Sequence, residues 1–251
     1  MAIVDYDEGS TAERYLADVN TQPVRTHVED YSLMKIIGDV NGKKVLDVAC
    51  GDGHYTRLLR RAGAAEVVGI DISERMIDLG REEESRNPLG GIEYRVEDAM
   101  VIGQPDFDLV TSLWLFPHAT TRAELTQMCQ GQASRLKPGG RLVAMAVNPG
   151  LADFDEAPDY REYGFALAPP DRFVDGVPFV FTFLVDGSNM EFELRYFSTD
   201  AFESGFAEAG LTGFALHQLE VSPTAGDEPG YWNDFLSRPH CAIMDGLKRS
   251  S

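Results

Sequence analysis

The sequence predicts an α/β fold built on an open, mostly parallel sheet with helices on both faces. Two observations carry this. Lys44 to Leu59, KVLDVACGDGHYTRLL, reads as an apolar strand (Val45, Leu46, Val48) interrupted by Asp47, then a tight Cys50-Gly51-Asp52-Gly53 turn, then a helix with Tyr55, Leu58 and Leu59 on one face. Asp71 ends the next apolar run, Glu66-Val67-Val68-Gly69-Ile70, 24 residues beyond Asp47. An acid about 20 residues beyond such a turn is placed to hydrogen-bond ribose hydroxyls. Strand, glycine turn and helix in this order set backbone N–H groups and a helix N-terminus at the carboxyl end of a strand, where open α/β sheets take their ligands. Glycine lets the backbone approach that ligand closely. A dinucleotide fingerprint wants a third glycine where Thr56 stands, which weakens a nicotinamide or flavin reading.

Residues 1–43 precede the first strand and read as a helical lid. Ser10-Thr11-Ala12-Glu13 is a capping box opening a helix with Tyr15, Leu16 and Val19 on one face. A second helix, from about His27 to Gly38, carries Val28, Tyr31, Met34 and Ile37 at helical spacing. Beyond the glycine turn, Ser73 caps a helix over Glu74 to Arg81, and Ile92 to Val96 is a short strand that delivers Asp98. A fourth strand runs from Phe107 to Leu113 and continues into Trp114-Leu115-Phe116-Pro117-His118. His118 stands at the mouth of the cleft, and imidazole is the side chain best matched to proton removal near neutral pH. Thr121-Arg122-Ala123-Glu124 is another capping box, opening a helix with Leu125, Met128, Cys129, Ala133 and Leu136 on one face; Arg141 to Val147 is the fifth strand.

Residues 151–197 are rich in aromatics and prolines. Phe179 to Val185 and Met190 to Phe197 flank Asp186-Gly187-Ser188-Asn189, which predicts a β-hairpin, with Phe179, Phe181 and Phe183 sharing a face. This segment is expected to cap the cleft with an aromatic wall, Tyr163 and Phe173 facing the ligand. The chain then returns to the core: a helix from Asp200 with Phe202, Phe206 and Ala209 inward and Gly210 at its end, a strand from Gly213 to Val221, an aromatic Tyr231-Trp232 segment, and an antiparallel strand from His240 to Lys248.

With 41 acidic and 22 basic residues among 251, the net charge is −19, and a phosphate backbone would be repelled, so a nucleic-acid partner is not expected. No run approaches the roughly 18 apolar residues of a membrane span, and the N-terminus lacks a basic-then-apolar signal segment. Cys50, Cys129 and Cys241 are widely spaced without a CxxC pair, which suggests reduced thiols in a cytoplasmic protein and no metal site.

The motifs resemble those of the Rossmann-like, class I S-adenosylmethionine-dependent methyltransferases. Asp47 to Gly53 looks like their glycine motif, Asp71-Ile72-Ser73 with Met76 like the ribose acid and adenine-packing residues, and Glu97-Asp98-Ala99 like the acid on the adenine amino group. Phe107 to Val110 looks like their fourth strand, and Leu136-Lys137-Pro138-Gly139-Gly140-Arg141-Leu142 like the turn before the fifth. The resemblance covers residues 44–147. It implies a seven-stranded, mostly parallel sheet within one domain over 1–251: an N-terminal helical lid (1–43), a cofactor-binding core (44–150), a β-hairpin cap (151–197) and the C-terminal end of the sheet (198–251). It implies S-adenosylmethionine held by Tyr15, Arg25, Ala49, Gly51, Asp71, Ile72, Met76, Asp98, Ala99 and Leu113. The acceptor would lie near Trp114, Tyr163 and Phe173, with His118 as a base. Amino-methylating nucleic-acid enzymes place an Asn or Asp, two prolines and an aromatic after the fourth strand, and this chain does not. Within the family the chain looks most similar to small natural-product methyltransferases of the toxoflavin synthase type. That implies a small aromatic or heteroaromatic acceptor methylated on N, O or C by a monomer or homodimer. Two other readings stay open: an enzyme of the same fold that uses the cofactor otherwise, for example by cyclising its aminobutyrate arm, and a cofactor-binding module without turnover.

Overall fold

The computed structural model describes residues 6–19, 22–154, 159–184, 189–226 and 230–250. Helix α1 (Thr11–Val19), a five-residue π-helical segment (Arg25–Glu29) and α2 (Asp30–Ile37) precede the sheet. The core then alternates β1 (Lys44–Val48), α3 (His54–Arg61), β2 (Glu66–Asp71), α4 (Glu74–Arg86), β3 (Ile92–Val96), β4 (Phe107–Leu113), α5 (Arg122–Ser134) and β5 (Leu136–Val147). A separate small sheet follows, of β6 (Phe165–Ala168), β7 (Pro178–Phe183) and β8 (Met190–Arg195). The chain ends with α6 (Thr199–Glu208), β9 (Leu211–His217), α7 (Asn233–Ser237) and β10 (Cys241–Lys248).

The large sheet has the order β3-β2-β1-β4-β5-β10-β9. Its first five strands are parallel, and β10 is antiparallel to both β5 and β9. The order reverses between β1 and β4, so a crevice opens at their carboxyl ends, the topological switch point. Alternation along β1 splits the core in two. Val45 packs with Val67, Leu109, Leu33 and Leu59 on one face, while Leu46 and Val48 pack with Val110, Leu142, Leu125 and Phe202 on the other.

Asp47, on the Val45 side of β1, is buried in that first layer. Its carboxylate accepts the Thr56 hydroxyl of α3 at 2.7 Å and the Thr111 hydroxyl of β4 at 2.8 Å. The residue that breaks the dinucleotide pattern therefore has a local purpose: Thr56 satisfies a buried carboxylate.

Several boundaries and partners differ from expectation. The second helix begins with a π turn, which rotates its face so that Leu33 and Ser32 are buried while Tyr31 and Met34 are half-buried. Glu13 does not close a capping box but pairs with Arg75 of α4. Strand β5 starts at Leu136, paired with Phe107 across a register shift, five residues before the expected start. The sixth strand of the core is Leu211–His217, because β10 recruits it as an antiparallel edge up to His217. Helix α6 starts at Thr199, one residue before the expected start, capped by Ser198, whose hydroxyl accepts the Ala201 N–H. The expected hairpin is present as β7 and β8, while residues 185–188 of its turn lie outside the described residues. It gains a third strand, β6, whose four residues (Phe-Ala-Leu-Ala) are too short to stand out beside Pro169-Pro170.

Burial pushes the Asp47 carboxyl up from 3.8 to about 6, the Thr56 and Thr111 hydroxyls opposing the shift. The proton is held more tightly in the folded state, so this group's stabilising contribution is complete below about pH 3.8 and lost as pH rises through about 6. Asp47→Asn keeps two hydrogen bonds and does not titrate. In urea unfolding at pH 4 and pH 8, the variant should gain on the wild type by on the order of 3 kcal/mol between the two pH values.

Candidate active site

The site is built at the carboxyl end of β1. Ala49 (φ 55°), Gly51 (φ 56°) and Gly53 (φ 86°) all occupy the left-handed region, which reverses the chain between β1 and α3. A Cβ on Gly51 would meet nothing within 4 Å, so its backbone faces open space, whereas one on Gly53 would strike the Tyr94 hydroxyl at 2.0 Å. Asp71 holds the loop: one carboxylate oxygen accepts the Gly51 N–H and the other the Ser73 N–H, both at 2.9 Å. Burial raises its pKa, against those backbone hydrogen bonds. A carboxylate oxygen has a second lone pair, so both remain able to accept hydroxyls.

Beside this loop lies a cleft of about 1000 Å³, its open mouth included. Its floor is Ala49, Cys50, Gly51, Asp52 and Tyr55; Tyr15, Leu16 and Val19 of α1 and Arg25 and Glu29 of the π segment cover one side. Leu113, Trp114 and His118 come from the end of β4 and the turn after it, and Phe165, Phe181, Phe183 and Phe192 from the small sheet. Helix α1 and the cap meet over the cleft, with the Tyr15 ring 5.5 Å from Phe192 and 6.0 Å from Phe183.

Of the residues expected to hold a cofactor, Tyr15, Arg25, Ala49, Gly51 and Leu113 line this cleft. Arg25 is only 8% exposed, its guanidinium 5.1 Å from the centre of the Tyr55 ring. Its Nε and the Tyr55 hydroxyl are buried without a partner among the described residues, two polar atoms aligned with a ligand's needs. The other five lie off the lining. Ile72 is 74% exposed next to Asp71. Met76 is buried in the first turn of α4, its N–H donating to the Ser73 hydroxyl. The Glu97 N–H donates to the Asp71 carbonyl at 2.9 Å, which sets Asp98 and Ala99 at the same sheet edge. Asp98 closes a turn by accepting the Met100 N–H. Beside Asp71, Ile72 is thus exposed, Asp98 and Ala99 are half-buried and Met76 is buried.

Two acceptor expectations do not hold. Tyr163 is 1% exposed, its ring stacked on Trp232 and its hydroxyl donating to the Tyr231 carbonyl at 3.0 Å. It is held among the C-terminal aromatics because α7 packs beneath the cap. Phe173 lies edge-on to Tyr196, 4.9 Å away, outside the cleft. The aromatics that reach the cleft are Phe181 and Phe183, two of the three that alternation placed on one face, together with Phe165 and Phe192. Trp114 does line the cleft, with an uncommon φ of 64°. His118 lines it too, and desolvation by the surrounding protein lowers its pKa.

Sequence reasoning missed Glu29 and His240. His240 Nε2 lies 3.3 Å from Glu29 Oε1, both side chains are buried, and both line the cleft. Cys241 points its Sγ at the same Glu29 oxygen from 3.9 Å. Pairings across more than 200 positions leave no local signal.

Residues 45–140 match the family described as "Methyltransferase domain". A ubiquinone biosynthesis O-methyltransferase from Neisseria meningitidis serogroup C is 35% identical over 113 residues, 44% of this chain and 46% of that protein. The chain thus spans about half the length of the curated relatives it matches. Among solved structures, an S-adenosylmethionine-dependent methyltransferase from Clostridium acetobutylicum superposes with TM-score 0.67 at 15% identity, covering 94% of this chain and 99% of that one. The CcbJ methyltransferase from Streptomyces caelestis gives TM-score 0.65 at 17% identity over 93% and 98%. The fold is that of Rossmann-like methyltransferases, and the residues that match the methyltransferase-domain family, 45–140, include the glycine loop and Asp71.

Tyr163→Phe removes one hydrogen bond and no part of the cleft. It should cost about 1 kcal/mol of stability in urea unfolding and leave the affinity for S-adenosylhomocysteine unchanged in calorimetry.

Proposed function

We propose that this chain is an S-adenosylmethionine-dependent methyltransferase acting on a small aromatic or heteroaromatic acceptor. The observation that carries the reading is the joining of two unlike surfaces: a backbone cradle clasped by Asp71, and a cleft walled by Phe165, Phe181, Phe183, Phe192 and Trp114. Bound S-adenosylmethionine supplies a methyl group on a sulfonium, already activated for transfer.

The residues fit that group. Arg25 presents a buried cation with an unpartnered Nε for an α-carboxylate, and Gly51 lets the backbone come close. Asp71 would accept ribose hydroxyls, with Ile72, Met76, Asp98 and Ala99 as the adenine ledge. The apolar rings would orient a flat acceptor and exclude water, and holding a nucleophile in line supplies much of the rate effect. His118 would border the acceptor. The name of the Neisseria relative favours oxygen over nitrogen or carbon as the methylated atom. The natural-product role of the toxoflavin synthase type remains part of this proposal.

Calorimetric titration with S-adenosylhomocysteine tests the reading. The dissociation constant should be on the order of micromolar, about −8 kcal/mol. Asp71→Ala should weaken it by about 1.5–3 kcal/mol, through the lost ribose bonds and the released Gly51 N–H. A folded wild-type protein that does not bind would refute the cofactor assignment.

A further inference from the structure

We propose that Glu29, His240 and Cys241 form a site for one divalent cation of the zinc kind at the wall of the cleft. The proposal is independent of the methyltransferase reading, since its three ligands are none of the residues assigned to S-adenosylmethionine or to the acceptor. The cysteine spacing predicts no metal site, because the ligands are gathered by the fold, with Glu29 and Cys241 standing 212 positions apart.

Three donor atoms of different chemistry converge. Glu29 Oε1, His240 Nε2 and Cys241 Sγ all lie within 4.8 Å of one another, with 3.3 Å from oxygen to nitrogen and 3.9 Å from oxygen to sulfur. A tetrahedral zinc ion, bonded at about 2.0–2.3 Å, spaces such donors roughly 3.3–3.8 Å apart. The oxygen and the nitrogen stand at that separation without the alignment of a hydrogen bond, so a shared proton does not account for their approach. All three residues are buried, and a carboxylate taken out of water needs a cation or hydrogen-bond donors. Among the described residues, Glu29 has only the His240 ring and the long contact from the Cys241 thiol. Its charge acts on Arg25 of the same segment, yet no arginine or lysine lies within ion-pair distance of it. A cation between the three donors would supply the missing charge. Ligation through Nε2 puts the ring proton on Nδ1, which is buried without a hydrogen-bond partner among the described residues, a cost that the metal–ligand bonds have to exceed.

The ligands sit on fixed elements. Glu29 ends the π segment, Cys241 opens β10 opposite Val147 of β5, and the Asn148 N–H donates to the His240 carbonyl at 2.9 Å. Successive side chains of a strand diverge, but His240 precedes the strand, so it and Cys241 both reach Glu29. Trp114 stacks within 21° of the imidazole plane and the Phe165 centroid lies 4.5 Å from that of the ring, which holds its orientation. One thiolate, one imidazole and one carboxylate suit zinc or cobalt, whereas magnesium and calcium prefer oxygen alone. The Cys241 thiol gives up its proton to solvent when the ion binds. Three protein ligands leave a tetrahedral ion one position for water, and Glu29 and His240 both line the cleft that supplies it.

The test uses the full chain, stripped of metal with EDTA and titrated with Co²⁺ and Zn²⁺. Cobalt should bind at one equivalent and show a thiolate-to-cobalt charge-transfer band together with the intense visible bands of a tetrahedral site. Cys241→Ser should abolish the charge-transfer band. Glu29→Gln and His240→Gln should each weaken zinc binding by about 100-fold or more, since groups that merely support a ligand already cost roughly 10–100-fold when lost. Cys129→Ala, which removes a thiol outside the site, should behave as the wild type. X-ray absorption on the zinc-loaded wild type, which needs no variant to fold, should give one sulfur at about 2.3 Å with nitrogen and oxygen at about 2.0–2.1 Å. A folded wild type that binds neither ion, or a zinc shell without sulfur, would overturn the site. So would a charge-transfer band that persists in Cys241→Ser, or a zinc affinity that Glu29→Gln and His240→Gln leave unchanged, by assigning the ion to an adventitious position. A wild type that takes up zinc but not S-adenosylhomocysteine would strike the methyltransferase reading and leave this site standing.

Discussion

The site depends first on a clasp between a side chain and a backbone: Asp71, at the end of β2, accepts the Gly51 N–H from the loop that ends β1. Without it, a loop with three residues in the left-handed region would have little to select one conformation. Two of those residues are glycines, for which that region carries no steric cost; Ala49 is not, and its conformation has to be held by its neighbours. One turn deeper, Asp47 fixes the position of α3 and β4 relative to β1 through Thr56 and Thr111. The two carboxylates divide the work. Asp47 sets where the elements lie, and Asp71 sets how the backbone between them turns. Both have raised pKa values for the same reason, burial, which marks how much of this fold's ionisable chemistry has been drawn into the crevice.

Much of this was legible in the sequence because it is local. The strand-turn-helix at Lys44–Leu59 needs only neighbouring residues to be recognised, and the acid after the next strand lies at a spacing set by one helix and one strand. Arg25 was singled out only through family resemblance; its burial over Tyr55 beside the cleft comes with the π turn, for which the sequence carries no distinct signature. The cap was half legible. Alternation put Phe179, Phe181 and Phe183 on one face, but alternation does not say where along the strand the cleft begins, and Phe179 falls outside the lining while its two neighbours fall inside. Tyr163 failed for a related reason. An aromatic-rich segment has to build a core of its own, and a tyrosine whose hydroxyl finds a backbone carbonyl belongs there as well as in any binding site.

The Glu29–His240 pair was illegible because it is made by topology. Strand β10 returns antiparallel beside β5, and the Asn148 N–H donates to the His240 carbonyl at 2.9 Å, fixing the residue just before that strand next to the end of β5. The π segment brings Glu29 to the same place from the far end of the chain. Arg141 and Ser32 hold that end down: Arg141 donates to the Ile36 carbonyl at 2.8 Å, and Ser32 exchanges hydrogen bonds with the Glu220 backbone at 2.9 and 2.8 Å. Residues grouped in sequence as a lid are thus divided in the structure, with α2 and the π segment packed into the main core.

Helix α1 is attached differently. It is tied to α4 by the Glu13–Arg75 ion pair, with both side chains a third or more exposed, where solvent screens the attraction. Its Tyr15 ring also packs against Phe183 and Phe192 across the cleft itself. Just before α1, the Asp7 carboxylate accepts the Ser73 hydroxyl at 2.7 Å and the Arg75 N–H at 2.8 Å, and Tyr6 packs edge-on to Tyr15 with its hydroxyl near the charge of Asp71. A nucleoside bound at Asp71 therefore has to share that ledge with residues 6 and 7 or displace them. The contacts beside Asp71 and the aromatic contact over the cleft belong to the same short segment, Tyr6 to Val19.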